Sequence, residues 1–105
     1  MGEEFSSVVR SDGRFGVVFE ADGETAYLYL LDMAAPEGRQ IVSSFRVPVR
    51  ALGEPDAEVR WSQDGTIAAA MRGGNILALM DLRNPGTDLR HVGRAPKEGD
   101  SHLFS

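Results

Sequence analysis

The feature that most constrains this chain is that it states one pattern twice. Val9-Arg10-Ser11-Asp12-Gly13-Arg14-Phe15 leads into Val17-Val18-Phe19-Glu20, then Asp22-Gly23, then an apolar run Thr25–Leu31 closed by Asp32. Later, Val59-Arg60-Trp61-Ser62-Gln63-Asp64-Gly65-Thr66-Ile67 leads through Ala68–Met71 to Gly73-Gly74, then through Asn75–Met80 to Asp81. Asp12-Gly13 aligns with Asp64-Gly65, Asp22-Gly23 with Gly73-Gly74, and Asp32 with Asp81. Asp-Gly and Gly-Gly supply the positive φ angles of tight hairpins. The Val, Ile, Phe and Tyr between them pack well on a pleated surface. Each half therefore reads as strand, turn, strand, turn, strand. The fold class that follows is mainly β: two antiparallel meander repeats packed as a small sandwich or curled sheet.

Within that frame, alternation assigns faces. Phe15, Val17 and Phe19 share one side of their strand. Thr25–Leu31 is apolar on both sides, which predicts a central strand covered on each face. A further strand is expected over Gln40–Val49, with Ile41, Phe45, Val47 and Val49 pointing one way. Ser43 interrupts that face, and Pro48 restricts the strand to an edge or an end. Ala68-Ala69-Ala70 favours helix intrinsically, but the run before Gly73-Gly74 is too short for a stable one and is read as strand. Met33–Arg39 and Ala51–Asp56 read as loops. The domain expectation is one β unit over 1–90, with repeat one about 8–50, repeat two about 58–90, and a flexible tail over 91–105.

Two segments carry a resemblance. The run from Val17 to Tyr29, with its acidic Asp22-Gly23-Glu24-Thr25 hairpin before an aromatic strand, and the turn Trp61-Ser62-Gln63-Asp64-Gly65 are similar to a family of small uncharacterised bacterial proteins, a domain of unknown function. That resemblance implies a compact single-domain bacterial protein with no assigned activity and no catalytic residues to carry over. The chain departs from it at Ile76–Met80, where the family pattern would place an aromatic-rich final strand. Trp61–Gly65 entering an apolar strand also resembles the entry to a β-propeller blade, although the first half offers only Ser11 or its neighbours opposite Trp61. Two blades cannot close a propeller, so that likeness implies assembly of several chains.

Composition narrows the function. The 105 residues carry 16 acidic and 11 basic side chains, a net charge of −5. That balance argues against nucleic acid and anionic membranes as partners, and is compatible with a basic protein. The absence of cysteine removes disulfides, thiolate metal sites and cysteine nucleophiles. No apolar run is long enough to span a bilayer and the acidic start does not resemble a signal peptide, so a soluble cytoplasmic protein is expected.

Each chemical constellation also has a plainer structural reading. Glu20, Asp22 and Glu24, with Asp32 beyond them, could present carboxylates to a cation, but read more simply as a solvated turn that discourages edge-to-edge pairing. His91 and His102 fall in the expected tail and are too few for a zinc site. No serine lies in a Gly-x-Ser-x-Gly turn, and no helix start or Lys-Ser/Thr follows Gly73-Gly74, so a phosphate loop is not expected. No cofactor, metal or catalytic residue is assigned. Tyr27, Tyr29 and Trp61 form either a protein-binding patch, with Glu20, Asp22 and Glu24 beside it, or part of the core. Arg10, Arg14, Arg46, Arg50, Arg60 and Arg72 are expected on the wet face of the sheets.

The leading expectation is a non-catalytic protein-interaction module for a basic partner, of which immunity-type or antitoxin-type neutralisation would be one form. The alternatives are a self-associating propeller-like ring that binds a small ligand, and a small hydrolase built on a perturbed carboxylate.

Overall fold

A computed structural model describes residues 3–22, 24–47, 57–84, 86 and 88–104. Its strands are β1 (Glu3–Val9), β2 (Phe15–Asp22), β3 (Ala26–Asp32), β4 (Ile41–Val47), β5 (Glu58–Trp61), β6 (Ile67–Arg72), β7 (Asn75–Asp81) and β8 (Gly93–Arg94). Short 3-10 turns occupy Leu89–His91 and Asp100–Phe104. The strands form two four-stranded antiparallel meanders, β1-β2-β3-β4 and β5-β6-β7-β8. Pro48, Val49, Arg50 and the Ala51–Asp56 loop lie outside the described residues, as does Gly23 of the first hairpin.

The repeat is real down to its hydrogen bonds. Arg10 N–H donates to the Phe15 carbonyl at 2.7 Å, and Ser62 N–H donates to Ile67 in the same way at 2.7 Å. Inside each turn Gly13 N–H reaches the Arg10 carbonyl and Gly65 N–H the Ser62 carbonyl, with φ of +76° and +74° at the two glycines. Asp12 and Asp64 each accept the backbone N–H two residues on, from Arg14 and Thr66, the local bond that makes aspartate a turn former. Asp32 and Asp81 do the same for Ala34 and Arg83 at the strand ends. In this register Val9, rather than Ser11, stands where Trp61 stands.

The two meanders face each other across one core. Phe15, Val17, Phe19 and Ala21 of β2 and Ala26, Leu28 and Leu30 of β3 pack against Val59, Ala68, Ala70, Ala78 and Met80 of the second sheet. The alternation predicted for Phe15–Phe19 holds. Two other face assignments do not. β3 is buried only at Ala26, Leu28 and Leu30, while Tyr27 and Tyr29 are half-buried on its outer side. The strand covered on both sides is instead β6, buried at every position. Its alanines follow from that: Ala68 and Ala70 face the sandwich core, and Ala69 with Ile67 and Met71 lies beneath Leu103 and Phe104 of the C-terminal segment. In β4 the pairing register shifts between Leu30 and Leu31, so that Ser43 opposes Leu30 while Ile41 opposes Leu31. This bulge turns Ile41 outward, 60% exposed, while Ser43 keeps to the inward side with Phe45 and Val47 and is buried, its hydroxyl donating to the Arg90 carbonyl at 3.2 Å.

Residues 91–104 depart from the expected loose tail. β8 pairs with β7 through Leu79–Arg94 and Met80–Gly93. Arg94 then grips Asp100 with two bonds of 2.9 Å, and Asp100 is buried. The second meander thus acquires its fourth strand beyond the boundary read from the sequence.

Open strand edges are covered at both seams of the sandwich, which removes sites of unwanted pairing. At one seam β5 lies against β1: Ser6 Oγ accepts from Val59 N–H at 3.3 Å, Trp61 Nε1 donates to the Val8 carbonyl at 3.4 Å, and Arg72 pairs with Glu4 at 2.8 Å. At the other, β4 meets β8 closely enough that a Cβ on Gly93 would stand 2.6 Å from Phe45 Cβ.

Candidate functional site

Among the described residues, large apolar side chains stay open on the outer face of the first sheet. Strand register places them in rows. Phe5, Glu20, Tyr27 and Arg46 lie side by side across the four strands, then Ser7, Val18, Tyr29 and Ser44, then Val9, Gly16, Leu31 and Ile41. Phe5 is 69% exposed, Ile41 60%, Val9 51% and Met33 39%. Between these, Tyr27 and Tyr29 stack with ring centroids 5.9 Å apart and planes 20° from parallel. Gly16 leaves a gap in the last row that Met33 Sδ and Val9 Cγ2 close over, continuing the apolar surface.

One end of this face is acidic. Glu20 sits in the row beside Tyr27 and is exposed, as are Asp22 and Glu24 at the hairpin end. Asp22 Oδ1 accepts the N–H groups of Thr25 at 2.7 Å and Glu24 at 2.9 Å, and the Thr25 hydroxyl at 3.2 Å. Those donors, the Thr25 amide first, hold its carboxyl below the usual carboxylate range, so it stays ionised while building the turn. Partial burial, followed by the nearby Glu20 charge, pushes the Tyr29 phenol up. The cluster marks one end of the face with negative charge. Among the described residues, no group of three His, Asp or Glu side chains converges in a way that could hold a metal ion.

Trp61 is not part of this face. It lies half-buried at the seam and packs against the sandwich core. Arg10 sits beside it, its guanidinium carbon 5.6 Å from the Trp61 ring and 4.9 Å from the Phe15 ring. Arg10 also donates to Asp12 and, at 3.1 Å, to the Gly65 carbonyl, tying one Asp-Gly turn to the other. The Arg10 hydrogen bond brings the Asp12 carboxyl down to about 2. An open cleft of about 660 Å³ runs between the two turns, lined by Arg10, Asp12, Trp61, Gln63 and Asp64 among others. Arg10 and Asp12 pair with each other there, and Asp64 accepts from the Ser62 and Thr66 hydroxyls. The expectation that Arg10 and Arg72 lie on a wet face fails for a single reason: both reach across the seam, and only contacts between distant segments reveal that.

His91 borders a shallow depression of about 320 Å³ with Asp81, Arg83, Asn84, Val92 and Arg94. There Asp81 pairs with both Arg83 and Arg94, and its carboxyl is pulled well below the usual range by Arg83 first. His102 lies elsewhere, on the C-terminal 3-10 turn. Among the described residues no helix is long and apolar enough to cross a membrane.

Of the sequence candidates, the structure thus joins Tyr27, Tyr29, Glu20, Asp22 and Glu24 along one face and sets Trp61 apart. The neighbours that complete the face, Phe5, Val9, Met33 and Ile41, carried no sequence signal of exposure, because apolar residues in strands are ordinarily read as core. No curated protein and no solved structure matches the chain. The sequence model of the DUF2251 family, described as an uncharacterized protein conserved in bacteria, matches residues 1–91, a span that takes in seven of the eight strands described above. The chain belongs to the DUF2251 family.

Proposed function

We propose that the chain is a non-catalytic protein-interaction module whose docking face is the outer side of the first sheet, and that its partner presents an apolar surface bordered by basic side chains. One observation carries the reading: Phe5, Val9 and Ile41 on the sheet, with Met33 just beyond β3, stand open around the Tyr27–Tyr29 stack. Isolated exposed apolar residues are ordinary, but a contiguous patch of them with polar surroundings is typical of a binding surface. Stacked tyrosines supply large contact area at low entropic cost. Charge selects the partner's chemistry. Glu20, Asp22 and Glu24 mark one end of the face, and the whole chain carries −5, so a basic partner is steered toward it.

The test is affinity capture at low and high salt with the wild-type chain and a Tyr27→Asp/Ile41→Asp variant, both confirmed as folded by circular dichroism. The expected result is a basic protein retained by the wild type, released as salt is raised, and not retained by the variant. Equal retention by both chains, or retention of acidic proteins alone, would refute the assignment.

A further inference from the structure

The outer face of the second sheet has the same apolar character as that of the first, yet it is occupied. Ile67, Ala69, Met71 and Leu79 form a second buried cluster, and the side chains that complete it are Ile76 and, from the C-terminal segment, Leu103 and Phe104. Arg94 and Asp100 anchor the segment. Arg94 Nη1 and Nη2 each reach one Asp100 oxygen at 2.9 Å, and Lys97 N–H donates to the same carboxylate at 2.6 Å. Arg94 is itself braced by Asp81 at 3.1 Å and, through Nη1, by the Ala95 carbonyl at 3.2 Å. Asp100 is the buried residue of the segment, and Leu103 and Phe104 are half-buried. An open groove of about 390 Å³ lies beside Leu103, bounded by Ser62, Gln63, Asp64, Thr66, Ile67 and Arg83. The face lies within the family match and the segment beyond it, since the match ends at residue 91.

We infer that the outer face of the second sheet is a peptide-binding site, filled in this chain by its own residues 97–104, and that it takes partner segments of the same chemistry: a carboxylate for Arg94, followed three and four residues later by two large apolar side chains. The seated segment defines that chemistry directly. A carboxylate held by both arms of a braced guanidinium supplies orientation. The apolar pair supplies contact over β6 and β7, and an open groove borders the Leu103 side of the seat. A tethered segment competes at an effective concentration on the order of millimolar, so the resident strap excludes weak ligands and yields to strong ones. This site is on the opposite side of the sandwich from the docking face proposed above and does not depend on it.

The experiment is a fluorescence-anisotropy titration of a labelled synthetic peptide spanning residues 96–105. The receptors are the full-length chain and a full-length Asp100→Asn/Phe104→Ser variant that frees both Arg94 and the apolar face. The variant should bind the peptide at least about tenfold more tightly than the wild type. A peptide with Asn in place of Asp100, or the variant carrying Arg94→Ala as well, should lose at least about tenfold in affinity. Should the double substitution unfold the chain, the single Phe104→Ala variant enters the same titration. A folded variant that ignores the peptide, or that binds the Asp and Asn peptides equally, overturns the inference. So does sedimentation showing that chains exchange straps into dimers while refusing free peptide. The Tyr27→Asp/Ile41→Asp variant should titrate like the wild type, which separates this result from the fate of the first docking face.

Discussion

Gly93→Ala tests how closely the two sheets approach at the seam between β4 and β8. The added methyl would stand 2.6 Å from Phe45 Cβ, 3.2 Å from Phe45 Cγ and 3.4 Å from Met80 Cε. Carbon atoms in van der Waals contact prefer about 3.5–4.0 Å, so β8 and β4 must separate by roughly an ångström. Cβ is attached to the backbone, so no rotamer of Phe45 relieves the shortest contact. Overpacking of this kind costs about 1–3 kcal/mol. At an unfolding entropy near 2.1 cal/mol/K per residue, that lowers the midpoint of thermal unfolding by roughly 5–14 °C for a chain of this length. Differential scanning calorimetry measures it. Phe45→Leu keeps Cβ in place, so the double variant Gly93→Ala/Phe45→Leu should remain at least as unstable as Gly93→Ala alone. Gly38→Ala is the control: φ there is +87° with nothing within 4 Å, so its cost is backbone strain alone, about 1–2 kcal/mol. If Gly93→Ala melts within a degree of the wild type, the sheets do not meet at this seam as described.

Leu28 is fully buried in the sandwich, and Leu28→Ala should destabilise by about 2–5 kcal/mol in chemical denaturation, with the unfolding slope unchanged. Glu4 and Arg72, with side chains 12% and 10% exposed, join β1 to β6 across the seam. Glu4→Ala should cost about 3–5 kcal/mol in the same assay, while Glu4→Leu/Arg72→Met should recover much of that loss. The Asp100 carboxyl is held below its usual value of 3.8 by Arg94 first and by the Lys97 amide. A carboxylate with a depressed folded value stabilises the fold above its unfolded value and loses that contribution as pH falls through the folded one. Exchange protection of residues 100–104 should therefore fall below about pH 4, and Asp100→Asn should start low and stay flat across that range.

The sequence carries the architecture in its turns. Asp12-Gly13 and Asp64-Gly65 specify their reversals locally, through a side-chain oxygen and a glycine at positive φ, so the repeat can be read without knowing what lies across the core. Side-chain alternation is likewise legible for Phe15–Phe19. What fails is information about the layers above and below each sheet. Tyr27, Tyr29 and Leu31 lie on a strand that reads as covered on both sides, yet on their side of it they are only half-buried. Ala68–Ala70 read as strand against their helix preference: Ala68 and Ala70 face the sandwich core, and the small size of Ala69 answers a segment thirty-odd positions away that places Leu103 and Phe104 on its outer side. The outward turn of Ile41 depends on a one-residue slip in pairing that has no composition cue. The tail looked loose for the same reason: the Arg94–Asp100 grip joins residues that look like two more surface charges until the chain is folded.

The two halves have diverged where they touch each other. In the shared register of the hydrogen bonds, Arg10 occupies the place of Ser62, and Val9 the place of Trp61. One copy thus contributes the cation and the other the indole and the accepting carbonyl of Gly65. Neither copy carries both, so a body made from two first halves would bring arginine against arginine and leave each with the Phe15 ring but no indole. Mixed after separate synthesis, the halves would be expected to select each other over themselves, as lock and key cut from one original blank.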